Sequence, residues 1–170
     1  MSFNFEDLNQ DVREKMLLEI QLDISNKNLY ISKRFSQKGI NDYPNILIKH
    51  VTDGDEVSLG NELRQDGRFN SMEQTKTGLK KVPFNAHETL SEDQFNRFYV
   101  RALCLVAIET NKSLQVYRAK NVSNARTASQ QKIGEFIDPS KLLDDLRSNG
   151  LDTALGLPAG PNSGLSVRLV

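Results

Sequence analysis

The chain has 170 residues, with 22 Lys or Arg against 22 Asp or Glu and a hydrophobic fraction of 38%. This hydrophobic content excludes an intrinsically disordered chain, and the length is typical of one domain or at most two small ones. The balanced charge excludes a protein whose whole surface attracts nucleic acid or acidic lipid, but it leaves room for a local basic patch.

The cysteine content and the N-terminus bear on the cellular compartment. The single cysteine, Cys104, lies in an apolar run and cannot form an internal disulfide bond, which is typical of a reducing compartment. Residues 1–11 lack the basic flank and the apolar stretch of a signal peptide, and no segment approaches the roughly 18 apolar residues of a membrane span. We therefore expect a soluble cytoplasmic protein that does not bind membranes.

The first predicted helix runs from about Asp11 to Ser25, because apolar residues recur there at helical spacing. Asp11 and Glu14 can form a capping box at its start. Asn26 ends it, since Asn tolerates the left-handed conformation found just beyond helix ends.

The pattern in residues 29–68 is weaker and predicts short helices. One starts at Asp42 with Pro44 in its first turn, and another is capped by Asp53 or Asp55. Residues 68–79 are polar and aperiodic, and they predict a loop.

The most strongly marked element is a helix over residues 92–109. Ser91 and Gln94 fit the capping box at its start. Every residue in 102–108 is apolar, so the second half of this helix must be covered on all sides. We expect it to be the central helix of the fold.

Two strands are predicted near the C-terminus, over residues 114–119 and 164–170, because apolar and polar side chains alternate there. Their matching period favours pairing. Between them, Asp138 caps a helix that begins with Pro139 and ends before Gly150.

The order of these elements predicts an α+β fold. We expect one helix-rich domain over residues 1–170, with a buried central helix and a small sheet from the C-terminal third. Its N-terminal part, residues 1–67, is expected to be helical, and residues 79–170 are expected to form helix, strand, helix and strand.

Motifs for catalysis or metal binding are weak. His50 and His87 are the only histidines and lie far apart, so they lack the paired spacing of a zinc site. Cys104 has apolar neighbours, whereas a reactive thiolate needs exposure and a nearby positive charge. No Gly-x-Ser-x-Gly motif or phosphate-binding glycine loop is present. We therefore predict no catalytic residues, no metal and no cofactor.

The basic residues are the most suggestive group. Arg97 and Arg101 lie four positions apart on the central helix, and Arg118, Lys120 and Arg126 lie in or after the following strand. If that strand returns alongside the helix, these side chains can converge into a patch. Such a patch would bind phosphate or an acidic partner surface.

Two alternatives apply to these residues. An arginine beside a buried stripe, such as Arg101, is most often an internal ion-pair residue, and its nearest candidate partners are Glu92, Asp93 and Glu109. A magnesium nuclease is the other alternative, but the strand offers Gln115 where a carboxylate is needed.

We weigh three functions. The first is a non-enzymatic interaction or assembly subunit, self-associating or bound to a larger protein partner, because the terminal strand could extend another sheet. The alternative is a nucleic-acid-associated protein, or an enzyme of phosphodiester chemistry, that uses a patch of Arg97, Arg101 and Arg118. The third is a small-molecule enzyme or sensor with His50 or His87 near its pocket.

Overall fold

The computed structural model describes residues 2–170 and confirms the α+β fold class. Its helices are α1 (Gln10–Ser25), α2 (Gln37–Asp53), α3 (Glu56–Leu63), α4 (Ala86–Thr110), α5 (Thr127–Lys132) and α6 (Pro139–Ser148). Its strands are β1 (Met72–Thr75), β2 (Gly78–Lys81), β3 (Leu114–Arg118), β4 (Phe136–Ile137) and β5 (Leu165–Leu169). Among the described residues, no helix combines the length and the apolar character needed to cross a bilayer.

The long helix α4 is the centre of the fold, as predicted, but its apolar half is not covered on all sides, because Ile108 is 45% exposed. Helices α1, α3 and α6 pack against it, and its side chains from Phe95 to Leu103 contribute to the main core. The start of α4 differs from the prediction, because it begins at Ala86 and Ser91 lies inside it. The hydroxyl of Ser91 donates to the carbonyl of Glu88 at 3.0 Å instead of capping the helix.

Packing against α3 explains the extra turns at the start of α4. Gly60 of α3 allows the two helices to approach, since a Cβ atom there would lie 2.7 Å from the hydroxyl of Ser91. Leu90 and Ala86 are buried in this region. Tertiary contacts therefore extend the helix beyond the point that its capping motif indicates.

The other helix starts are partly as predicted. Asn9, not Asp11, caps α1, and Ser36 caps α2 six residues before Asp42. Helix α2 begins at Gln37, five residues before Asp42, so Pro44 lies inside α2 rather than in its first turn. Asp55 caps α3 as expected.

The C-terminal sheet is antiparallel, with strand order β4-β3-β5. The predicted pairing of the two alternating strands is confirmed, with Leu114 opposite Leu169 and Arg118 opposite Leu165. Leu114 and Leu165 belong to the main core. The helix between the strands, α6, has the predicted Asp138 cap.

The outer edge of β5 is occupied by groups of the same chain. The side-chain amide of Asn96 on α4 donates to the carbonyl of Leu165 at 2.8 Å, and the backbone N–H of Leu169 donates to the carboxylate of Asp7 at 2.9 Å. Strand β5 therefore offers few free backbone groups to another sheet.

A two-stranded hairpin, β1–β2, occupies residues for which the sequence predicts a loop. Met72 pairs with Lys81 and Thr75 with Gly78, so a two-residue turn joins the strands. The prediction of a loop over residues 68–79 is wrong because these strands are mostly polar and bury too little to show an apolar period.

The N-terminal segment is held on the protein by Glu56. The backbone N–H of Phe3 donates to the Glu56 carboxylate at 2.7 Å, and the Phe3 and Phe5 rings stack 5.2 Å apart. The Glu56 side chain is buried, and this burial raises its pKa above the ordinary value of 4.5.

We expect Glu56→Gln to change how stability depends on pH, because it keeps an acceptor oxygen for Phe3 and removes a buried charge. Because the pKa of Glu56 is raised in the folded state, its contribution to stability is greatest below pH 4.5 and is lost as pH rises through the folded-state pKa. The unfolding free energy of Glu56→Gln should therefore increase relative to wild type between pH 4.5 and neutrality, in urea unfolding. Glu135→Gln, at an exposed position, is the control. The prediction is contradicted if, for both variants, the difference in unfolding free energy from wild type does not change with pH.

Candidate functional site

Arg101 is fully buried in an ion-pair network between α1 and α4. Its Nε donates to Glu19 at 2.7 Å, and its two terminal nitrogens donate to Asp23 at 2.6 and 2.9 Å. Arg147 of α6 binds the other side of Glu19. Arg101 is therefore an internal ion-pair residue, but its partners lie on α1 and not among Glu92, Asp93 and Glu109. All three of its nitrogens are used within the fold.

Arg97 is also directed into the protein. One of its terminal nitrogens donates to the carbonyl of Leu146 at 3.0 Å and to that of Gly150, at the end of α6. Carbonyl groups at a helix C-terminus lack partners within the helix, so Arg97 satisfies them. Burial lowers the pKa of Arg97, which has a carboxylate neighbour in Asp93.

Lys120 pairs with Glu92 of α4. Both line a cleft of about 430 Å³ that also contains Glu56 and Glu88. Within residues 2–170, no group of three or more His, Cys, Asp or Glu side chains is arranged to hold a metal ion.

A separate cavity of about 390 Å³, here called the basic pocket, lies between α5 and the loop that precedes β5. Its polar lining consists of Asn124, Arg126, Ser129, Lys132, Asn162 and Ser163. No Asp or Glu contributes to this lining. The pocket therefore has a cationic and hydrogen-bonding character.

Arg118 of strand β3 contacts the lining of the basic pocket without being part of it. One terminal nitrogen of its guanidinium donates to the carbonyl of Ser163 at 3.2 Å. Its other terminal nitrogen is buried and has no hydrogen-bond partner in the described part of the chain. A buried donor without a partner is unusual in folded proteins and calls for a specific explanation.

The five predicted binding residues are thus distributed over several places. Arg126 lines the basic pocket and Arg118 contacts one of its lining residues, Ser163, whereas Arg97 and Arg101 face the interior and Lys120 faces Glu92. Lys132, which is not among the predicted binding residues, is the second cation of the pocket lining. Its ammonium donates to the carbonyl of Leu155 at 2.8 Å. The sequence signal for Lys132 was weak, because a lysine in a short polar helix is usually a solvated side chain.

The outward side of the hairpin is a second candidate region. Cross-strand pairing places Met72, Gln74, Leu79 and Lys81 on one face, and all four side chains are exposed. We call this face the hairpin surface. Leu79 is 63% exposed, although it is a large apolar residue. Strands β1 and β2 pair only with each other among the strands of residues 2–170.

The histidines and the cysteine do not line the basic pocket, but each histidine lines another cavity, His50 with Glu62, and His87 with Phe69 and Phe84 in a cavity of about 190 Å³. His50 hydrogen-bonds Ser58 at 2.9 Å and Glu62 at 2.6 Å, which accounts for both of its ring nitrogens. His87 is buried, and burial lowers its pKa. Cys104 is fully buried, and burial raises the pKa of its thiol, which disfavours the reactive thiolate form.

Neither a protein-family model, a curated protein nor a solved structure matches this chain. Function therefore has to be inferred from the hairpin surface and the basic pocket. These two regions share no residue, so each can be tested without altering the other.

Proposed function

We propose that the protein is a non-enzymatic interaction subunit that binds a protein partner by pairing an extended segment of the partner with β2. The observation that carries this proposal is the hairpin, whose strands pair only with each other within residues 2–170. Unpaired backbone groups on an edge strand form a ready template for another chain. A two-stranded hairpin also gains stability when a third strand joins it.

The two edges of the hairpin are not equivalent. The segment before β1 is flanked by the chain itself, because the backbone N–H of Asn70 donates to the carbonyl of Arg34 at 2.8 Å. On β2, successive residues direct their backbone N–H and C=O groups alternately toward β1 and away from it. The hydrogen bond from the N–H of Val82 to the carbonyl of Ser71 shows which residues face β1. This alternation turns the backbone groups of Leu79 and Lys81 outward, so β2 offers an open edge without the bonded segment that precedes β1.

Charge indicates the kind of partner. Lys80 and Lys81 lie on β2, and neither forms a salt bridge with a residue that the structure describes. A second copy paired along the same edge would bring these lysines close to each other, and like charges across strands are destabilising. An extended acidic segment of a different protein would instead neutralise them. We therefore favour a heterologous acidic partner over self-association.

The nucleic-acid alternative has less support. It depended on Arg97, Arg101 and Arg118 forming a common patch, and the nitrogens of Arg101 are already bonded to Glu19 and Asp23. Phosphates in solution cannot reach this group without breaking the internal ion pairs. A nucleic-acid function stays a prediction that the geometry of these arginines does not favour.

The experiment is to express the tagged full chain in its native cells and to purify it with its bound proteins. The wild-type chain is compared with the charge-reversed variant Lys80→Glu/Lys81→Glu. We expect the wild-type chain to co-purify with a second protein in a stoichiometric complex. When this partner is purified and mixed with the variant, its affinity should be at least about tenfold lower, because the reversed charges repel an acidic segment. Affinity is measured by titration calorimetry with the purified partner. Backbone amide exchange then shows whether Leu79 and Lys81 become protected on binding, as strand addition requires.

The matched control is Lys112→Glu/Lys141→Glu, which reverses two exposed lysines elsewhere on the surface. This control should bind the partner as wild type does. The proposal is wrong if wild type carries no stoichiometric protein, if both double variants lose binding equally, or if the amides of β2 remain unprotected in the complex.

A further inference from the structure

We propose that the basic pocket is a binding site for a small phosphorylated ligand, with Arg126 and Lys132 as its cationic contacts. This inference is independent of the hairpin and of the proposed protein partner. It starts from the cavity of about 390 Å³ between α5 and the loop before β5.

The first argument is the charge of the pocket. Arg126 and Lys132 both line it, no carboxylate lines it, and neither cation forms a salt bridge with a residue in the described range 2–170. Cations that converge on a concave surface without acidic partners favour an anion there. Phosphate is the biological anion whose oxygens match such a set of charged donors.

The second argument is Arg118, which contacts the pocket lining through the carbonyl of Ser163. Its guanidinium carries a third positive charge, and it forms no ion pair with any residue from 2 to 170. A charge partly removed from water has a stronger field than one in bulk solvent, so Arg118 adds to the positive potential of the pocket. The other terminal nitrogen of Arg118 is buried and Arg118 does not line the pocket, so Arg118 acts on a bound anion through its charge and not through direct contact.

The third argument is the hydrogen-bonding capacity of the lining. Asn124 and Asn162 contribute side-chain amides that donate to oxygen, and Ser129 contributes a hydroxyl. Ser129 and Ser163 are buried, so the floor of the pocket is formed by ordered parts of the fold. These groups can donate hydrogen bonds to the oxygens of a phosphate group beside the two cations.

Size decides between a small molecule and a polymer. The volume of about 390 Å³ falls within the range of roughly 300 to 1,000 Å³ that is typical of small-molecule pockets. A nucleic-acid strand would need cations that continue along a groove, whereas Arg97, Arg101 and Lys120 are engaged within the fold. We therefore assign the pocket to one phosphate or diphosphate group on a compact molecule.

The experiment is a titration of the full chain with pyrophosphate, inorganic phosphate and glycerol phosphate, followed by calorimetry and amide chemical shifts. We expect pyrophosphate to bind at submillimolar concentration and to shift the amides of Ser129, Asn162 and Ser163. Arg126→Ala should weaken this binding at least about tenfold, because it removes a charge-assisted contact. Lys132→Gln should have a similar effect. Tighter binding of glycerol phosphate than of inorganic phosphate would identify an organic phosphate as the ligand, and the reverse order would identify the free anion.

Arg64→Ala is the matched control, because it removes an exposed arginine that does not line the pocket. The Lys80→Glu/Lys81→Glu variant should also bind pyrophosphate as wild type does, so failure of the partner hypothesis remains separate from failure of this one. Three results would overturn the proposal: no pyrophosphate binding at millimolar concentration, equal binding by Arg126→Ala and wild type, or saturable binding of a single-stranded oligonucleotide that pyrophosphate does not displace.

Discussion

Replacement of Arg101 by Met is expected to lower the free energy of unfolding by about 3–5 kcal/mol, the range measured when one partner of a buried ion pair is removed. The side chain is 1% exposed, and its loss leaves the carboxylates of Glu19 and Asp23 without their buried counter-ion. Methionine retains much of the length of the arginine stem, so the loss reflects charge more than a cavity.

Urea unfolding followed by circular dichroism measures this effect. The control is Lys38→Met, which removes an exposed partner of Asp42 and should cost less than about 1 kcal/mol. If the two variants differ by less than about 1 kcal/mol, the network around Arg101 does not have the role assigned to it. The double variant Arg101→Met/Glu19→Leu should recover part of the loss, because it also removes one of the buried carboxylates.

The pH dependence of this difference gives an independent check. Burial alone would raise the pKa of Glu19, but the hydrogen bonds and charges of Arg147 and Arg101 outweigh burial and lower the pKa below 4.5. Stability from a depressed carboxyl pKa is present above the unfolded-state value and is lost as pH falls through the folded-state value. The difference in unfolding free energy between wild type and Arg101→Met should therefore become smaller as pH falls below 4.5.

The Arg101 network shows where sequence reasoning stops. An arginine between Val100 and Ala102 on an apolar helix indicates an internal ion pair, and this interpretation is correct. Its partners, however, lie 82 and 78 positions away on α1. Helical spacing limits the search to the same helix, whereas the packing of α1 on α4 selects Glu19 and Asp23. No local pattern contains that information.

The hairpin and the C-terminal sheet show the same limit for strands. The pairing of β3 with β5 is predictable because Leu114, Val116, Leu165 and Val167 face the core and impose a period of two. Strands β1 and β2 lack such a buried face, so their sequence resembles a loop. Their defining signal is Gly78, directly after the two-residue turn, where φ is +116°.

The candidate sites were predictable only in part. Arg118 and Arg126 stand out in the sequence as cations after the central helix, and in the structure Arg126 lines the basic pocket while Arg118 contacts its lining residue Ser163. The rest of that pocket comes from the loop before β5, which the sequence marks only as a constrained, glycine-rich and proline-rich turn. A pocket between two loops depends on tertiary placement, and residue spacing does not encode it.

The position of that loop depends on Gly164, and Gly164→Ala is expected to lower the free energy of unfolding by about 2–5 kcal/mol. Gly164 has φ of +67°, a left-handed conformation that costs a non-glycine residue about 1–2 kcal/mol. An added Cβ would also lie 2.1 Å from the carbonyl oxygen of Lys120, a backbone atom that cannot move away cheaply. The carbonyl of Gly164 accepts bonds from Ala119 and Lys120, so any shift also disturbs the end of β3.

Gly67→Ala separates the two contributions, because Gly67 has φ of +66° and no atom within 4 Å of an added Cβ. This control should lose only the conformational term of about 1–2 kcal/mol in thermal or urea unfolding. If both variants lose the same free energy of unfolding, β5 and the loop before it can shift enough to accommodate a Cβ atom at position 164. A larger loss for Gly164→Ala, together with weakened pyrophosphate binding in the folded fraction, would show that the close contact with Lys120 also holds Ser163 and the basic pocket in place.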